Sequence, residues 1–112
     1  MAVKPVIVIA SGTDDQRLQP LLYGIEEEQI PYVLRPMDVS GSLAHIAHEA
    51  AIASPLSVGI AYDRQQIVVH YKNLPEAEPL FTETWGNDHK LRALGADAAR
   101  LVKGVPFKKI EL

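Results

Sequence analysis

Two clusters in this 112-residue sequence, and a handful of scattered residues, have types and spacings that could do chemistry. His45-x-x-His48-Glu49 sets two imidazoles and a carboxylate near one face of a helix. Imidazole suits zinc-class ions, but a metal site usually takes three protein ligands of the right type. The H-E-x-x-H zinc pattern is absent, and a surface pairing of His45 with Glu49 explains the segment without a metal. Glu26-Glu27-Glu28 is the more informative cluster. Carboxylate oxygens suit Mg²⁺ or Ca²⁺. Successive helix residues point in different directions, so one glutamate could reach a metal while its neighbours pair elsewhere. One carboxylate is not a complete site; the other ligands would have to come from another chain or a nucleotide. The plainer reading is a solvated acidic helix end. His70 with Asp63 suggests acid–base work, yet no nucleophile sits in a recognisable elbow. An interface or edge histidine fits His70 better. Ser11-Gly12-Thr13 stands where α/β sheets often bind phosphate, but neither a dinucleotide nor a P-loop fingerprint is present, and Asp14 and Asp15 would repel an anion. Trp85 is either an interface anchor or a lid over the core.

Composition narrows the function classes. The net charge of -3 disfavours a nucleic-acid binder, and the longest basic cluster is Lys108-Lys109. With no cysteine, thiolate catalysis, disulfides, zinc–thiolate sites and iron–sulfur clusters are excluded. A small secreted domain would more often carry bridges, so a reducing cytoplasm is expected. The apolar run after Pro5 is too short for a membrane span or a signal peptide.

The elements that must position these residues follow from periodicity. Val6–Ala10 is an unbroken apolar run and predicts a strand covered on both faces. Thr13 with Gln16 matches a capping box, while Pro20 moves the start of the regular helix to about Gln19. That helix ends in the three glutamates, where its dipole disfavours acids. Ile30–Pro36 is a second short strand. Ser40-Gly41-Ser42 opens a second helix carrying Leu43, Ile46, Ala47, Ala50 and Ala51, ended by Ser54-Pro55. Leu56–Tyr62 and Gln66–Tyr71 predict a hairpin with a turn at Asp63-Arg64-Gln65. Residues 72–86 read as loop. Leu91, Leu94, Ala98, Leu101 and Val102 mark a last helix capped by Gly104. The expected fold is a single three-layer α/β domain over residues 1–112, order β-α-β-α-β-β-α, with a mainly parallel sheet and one antiparallel addition.

Four blocks in this order resemble one family: Gly24-Ile25-Glu26-Glu27-Glu28-Gln29-Ile30-Pro31, Ser54-Pro55-Leu56-Ser57-Val58-Gly59-Ile60-Ala61, Val68-Val69-His70-Tyr71-Lys72-Asn73-Leu74-Pro75 and Ala98-Ala99-Arg100-Leu101-Val102-Lys103-Gly104-Val105-Pro106-Phe107. They resemble the small subunit of diol and glycerol dehydratase reactivating factors, across about residues 5–108. The resemblance implies a fold similar to a domain of the dehydratase medium (β) subunit. It implies a non-catalytic chain in a chaperone-like factor that reactivates coenzyme-B12-dependent dehydratases by subunit exchange, releasing damaged cobalamin. A large, actin-like ATPase subunit would carry ATP or ADP, in a heterotetramer with this chain. The family pattern puts a glutamate on a metal ion held by the large subunit; the matching position is Glu27, with Mg²⁺ or Ca²⁺ at the interface and no cofactor on this chain alone. Glu26, Glu28 and the segment His70, Tyr71, Lys72, Asn73 and Leu74 are the expected interface. The implied setting is cytoplasmic, in association with a bacterial microcompartment or free of one, with no nucleic acid or membrane as partner. The family pattern has glycine where this sequence has Gln29, and residues 36–45 and 76–92 match poorly. Two alternatives stay open: a medium subunit of the dehydratase itself, and a small metal-dependent enzyme using His45, His48 and Glu49.

Overall fold

The Ile-Val-Ile-Ala run forms strand β1 (Ile7–Ala10), and all four of its residues are buried, as an unbroken apolar strand requires. A computed structural model of the chain describes residues 5–11, 15–37 and 40–104. These fall into two compact units, one of residues 5–11, 32–37 and 40–84, the other of residues 15–31 and 85–104.

The first unit is a five-stranded sheet with one helix. Its strands are β1, β2 (Tyr32–Arg35), β3 (Val58–Tyr62), β4 (Gln66–Tyr71) and β5 (Phe81–Thr84), in the order β2-β1-β3-β4-β5. β1 runs parallel to β2 and to β3; β3 with β4 and β4 with β5 are antiparallel. Helix α2 (Leu43–Ala53) starts where the Ser42 side chain accepts a hydrogen bond from the backbone N–H of His45 at 3.1 Å. Its small residues Ala47, Ala50 and Ala51 are fully buried and join Val8, Ala61 and Val68 in the core. Alanines let the helix press onto β3. A Cβ on Gly59 would stand 2.2 Å from the Ala51 nitrogen, so only glycine fits. The β3–β4 turn forms at Asp63, whose Oδ1 accepts from the N–H groups of Gln65 and Gln66, both at 2.8 Å.

The second unit pairs helix α1 (Gln19–Glu27) with helix α3 (Asp88–Lys103). A short 3₁₀ turn, Gln16–Leu18, precedes α1 and is capped by Asp15, whose carboxylate accepts from Arg17 N–H at 2.9 Å. Pro20 stands in the first turn of α1, where no intrahelical bond is lost. The capping box expected at Thr13 lies outside the described residues. Gly24 faces the α3 backbone at Arg92 and Ala96, and Gly95 faces the α1 backbone at Leu21, where the two helices cross. Gln29, just past the helix, has φ 62°, a left-handed conformation that glycine adopts without strain. This is the physical reason a glycine is expected there. α3 is capped at its start by Asn87 and ends on Gly104 in the left-handed conformation, the end its sequence predicts.

The α/β class and the order of the first six elements follow the sequence. One expectation needs correcting: residues 72–86 contain β5, so the sheet has two parallel and two antiparallel pairings and is mixed rather than mainly parallel. Phe81 and Glu83 are half-buried and alternate with exposed Thr82 and Thr84, a four-residue signal lost in a proline-rich stretch. β4 is therefore an interior strand. Among the described residues, no helix is long and apolar enough to cross a membrane.

Candidate functional site

The three glutamates sit at the end of α1, and the cations they need come from α3 of the same unit. Arg92, Arg100 and Lys103 recur near two-turn and one-turn spacing, so they share one helix face. Glu27 Oε1 accepts a hydrogen bond from Arg92 Nε. Lys103 Nζ donates to Glu28 Oε1 at 2.9 Å and to the Glu28 carbonyl oxygen at 3.3 Å. Arg100 approaches Glu28 Oε2 at 3.3 Å. The picture of unpaired carboxylates at the negative end of a dipole is thus corrected for Glu27 and Glu28. Their charge, and one of the last helix carbonyls, is balanced from within.

The two pairs differ in depth. The Glu28 side chain is only 10% exposed, whereas Glu27 is 41% exposed and Arg92 56%. The hydrogen bond from Lys103, opposed by desolvation and aided by the charge of Arg100, holds the Glu28 carboxyl below the usual glutamate range. A depressed folded pKa stabilises the protein above the unfolded value, and that gain is lost as pH falls through the folded value. Glu28→Gln is therefore expected to cost about 1 kcal/mol at pH 7 and to converge on the wild type at strongly acidic pH. Denaturant unfolding at the two pH values checks this; an equal deficit at both would exclude a charge-based role.

Glu27 is the carboxylate with a free approach. Arg92 engages one oxygen, and the second, on a side chain exposed to solvent, can serve a hard cation. One such oxygen is a small part of the six or more that Mg²⁺ or Ca²⁺ takes. Beside it, Pro20, Tyr23, Asp88 and Arg92 line a shallow cavity of about 210 Å³, with Tyr23 half exposed. Glu26 is exposed on the same helix end.

The segment expected as a second contact surface belongs to the first unit. His70 is fully buried, so its expected place at an interface or edge is corrected. Its Nε2–H donates to the Glu76 carbonyl at 2.9 Å, and its Nδ1 accepts from the Tyr71 N–H at 3.0 Å. Both ring nitrogens serve the chain's own backbone, Nδ1 also lying 3.1 Å from the Tyr71 carbonyl oxygen, and these ties shape the loop. Tyr71 and Leu74 are half-buried, and Lys72 and Asn73 are exposed. Asn73 Nδ2 donates to the Tyr71 hydroxyl at 3.3 Å. On α2, His48 Nε2–H donates to the Lys72 carbonyl at 3.1 Å, and His45 Nδ1 lies 2.6 Å from Glu76 Oε1. His45 and Glu49 do approach, at 4.0 Å, but the strong partner of His45 is Glu76. Glu76 gave no sequence signal, because it is 31 residues away in a stretch that reads as polar loop. Trp85 stacks against Arg17, with the guanidinium 4.5 Å from the ring centre.

Comparison with known proteins gives these sites a context. The sequence model of the dehydratase medium subunit family matches residues 4–108. The propanediol dehydratase-reactivating factor small subunit of Citrobacter freundii is 52% identical over 105 residues, covering 93% of this chain and 90% of that protein. A chain from the structure of diol dehydratase-reactivating factor complexed with ADP and Mg²⁺ superposes with a TM-score of 0.85 at 47% identity, covering 94% of this chain and 98% of that one. A chain of glycerol dehydratase reactivase superposes with a TM-score of 0.84 at 30% identity, covering 96% and 99%. The chain belongs to the dehydratase medium subunit family and, within it, to the small subunits of dehydratase-reactivating factors. It is an accessory subunit.

Proposed function

We propose that this chain is the docking subunit of a diol dehydratase-reactivating factor, and that it makes and breaks no covalent bond itself. The observation that carries the reading is the near end-to-end match to a chain of a reactivating factor, within a family described as dehydratase medium subunits. A protein that shares its fold with a dehydratase subunit can present a similar surface to that subunit's neighbours. The chain then alternates between a large ATPase subunit and the inactivated B12-dependent dehydratase, displacing the medium subunit so that damaged cobalamin leaves. Exchange of this kind requires the two complexes to lie close in free energy, so that a nucleotide-driven change in the large subunit tips the balance.

Several finer points follow from the same reading. The related factor's structure holds ADP and Mg²⁺. On this reading the nucleotide site lies on this chain's own large partner, Glu27 donates one oxygen to the metal ion there, and Tyr23 beside it gives the contact an aromatic anchor. Glu26, Glu28 and the Tyr71–Leu74 segment complete the contact surface. Residues 1–112 act as one domain, in a cytoplasmic heterotetramer. The identity gap, 47% to the diol factor against 30% to the glycerol reactivase, favours a diol substrate for the dehydratase served.

Affinity capture of the tagged chain from cells that make a diol dehydratase tests this. The expected bound protein is a large actin-like ATPase. A dehydratase large subunit as the permanent partner would instead make this chain a dehydratase component, and no stable partner of either kind would contradict the docking role.

A further inference from the structure

We propose that His45, His48 and Glu76 form a binding site for a borderline-soft divalent cation of the zinc class, joining the loop after β4 to helix α2. The donors come from two segments, and both imidazoles approach the same Glu76 oxygen. Glu76 Oε1 lies 2.6 Å from His45 Nδ1 and 4.0 Å from His48 Nδ1. Donors bound to one tetrahedral zinc at about 2.0–2.1 Å stand about 3.3 Å apart, midway between those two separations. Closing the site turns the half-exposed side chains of His45 and Glu76 toward the better-buried His48. Two imidazole nitrogens and a carboxylate select zinc, nickel or cobalt(II) over magnesium or calcium, which take oxygen.

What distinguishes this cluster from a surface ion pair is the far side of each ring. Bound histidines hold their orientation through the second ring nitrogen, typically by donating to a backbone carbonyl or a carboxylate. His48 already does so. Its Nε2–H donates to the Lys72 carbonyl at 3.1 Å, and its Nδ1 faces Glu76. The ring also packs against the buried His70, with centroids 4.7 Å apart, and its side chain is only 16% exposed. His45 has Glu49 Oε1 4.0 Å from its Nε2, and one donor atom each from His45, Glu49 and Glu76 lie within 4.8 Å of one another. On binding, the metal takes Nδ1 of His45, and the proton that position shares with Glu76 moves to Nε2, toward Glu49, or to solvent. The neighbouring Glu76 carboxyl is held below its usual range by the hydrogen bond from His45, so the carboxylate is ready as an anion. Water fills the remaining position.

Calorimetric titration of the 112-residue chain with zinc chloride in chelator-free buffer tests the site, with the visible spectrum of added cobalt(II) as a second readout. The expected result is one saturable equivalent, weakened about tenfold or more by His45→Ala and by His48→Ala. The shape-conserving Glu76→Gln, at an exposed side chain, should weaken it without disturbing the circular dichroism. His89→Ala, outside the cluster, should leave the affinity unchanged. No saturable binding, or binding undiminished in the His45→Ala/His48→Ala double variant, would overturn the proposal.

Discussion

Gly95→Val is expected to lower the stability of the protein by about 3 kcal/mol or more. A Cβ at Gly95 would stand 1.9 Å from the Leu21 carbonyl oxygen, and one at Gly24 would stand 2.0 Å from the Arg92 carbonyl oxygen. The two glycines face each other's helix backbone, so each marks the same close crossing of α1 and α3. Glycine inside a helix usually costs about 1 kcal/mol relative to alanine, and on propensity alone a larger side chain would help. The clash decides the sign, because backbone atoms cannot swing aside as a side chain tip can. Gly86→Ala is the matched control. Its Cβ would meet the Lys90 side chain at 2.6 Å, which can rotate away, and the change should be near neutral. Chemical denaturation of the three proteins reads the difference. A Gly95→Val deficit below about 1 kcal/mol would mean that the helices are not in backbone contact. The same variant should also weaken docking, since parted helices pull Arg92 from Glu27 and Lys103 from Glu28.

Glu27→Gln is expected to weaken association with the large subunit about tenfold or more in the presence of Mg²⁺, and to abolish the effect of chelator on that association. Glutamine keeps the shape and loses the charge, so a merely steric contact would survive it. The wild-type complex should weaken on chelation to about the level of the variant. Arg92→Ala separates the two roles of the carboxylate. It removes the internal partner of Glu27 while leaving the oxygen donors, so metal-dependent docking should persist. Affinities unchanged by both Glu27→Gln and chelator would remove the shared cation from the account.

Where the sequence was legible, a short-range physical rule applied. Pro20 in a first turn, Ser42 opening α2 and Gly104 as a C-cap all act within a few residues. The seven elements of the expected order, β1, α1, β2, α2, β3, β4 and α3, follow from such signals together with apolar periodicity. β5 did not, because Phe81–Thr84 is four residues of mixed polarity with no β-branched apolar run, and its pairing with β4 is non-local. The same distinction separates what could be read of the sites. Glu26, Glu27 and Glu28 are visible as a cluster; the cations that balance two of them lie 65 and 75 residues away in sequence. His45 and His48 are visible at helical spacing, whereas Glu76 reaches them only through the loop that His70 holds in place. His70 itself looks like a surface residue in a strand ending Tyr71-Lys72, and burial becomes evident only once β5 makes β4 an interior strand.

The chain is cast throughout as a surface that other proteins use. The measurement that addresses this most directly is recovery of activity by an inactivated diol dehydratase, supplied with ATP, Mg²⁺, fresh coenzyme and either subunit of the factor or both. The large subunit alone and this chain alone should each leave the enzyme inactive, and the pair should restore it. Full recovery with the large subunit alone, or ATP hydrolysis by this chain on its own, would contradict the account.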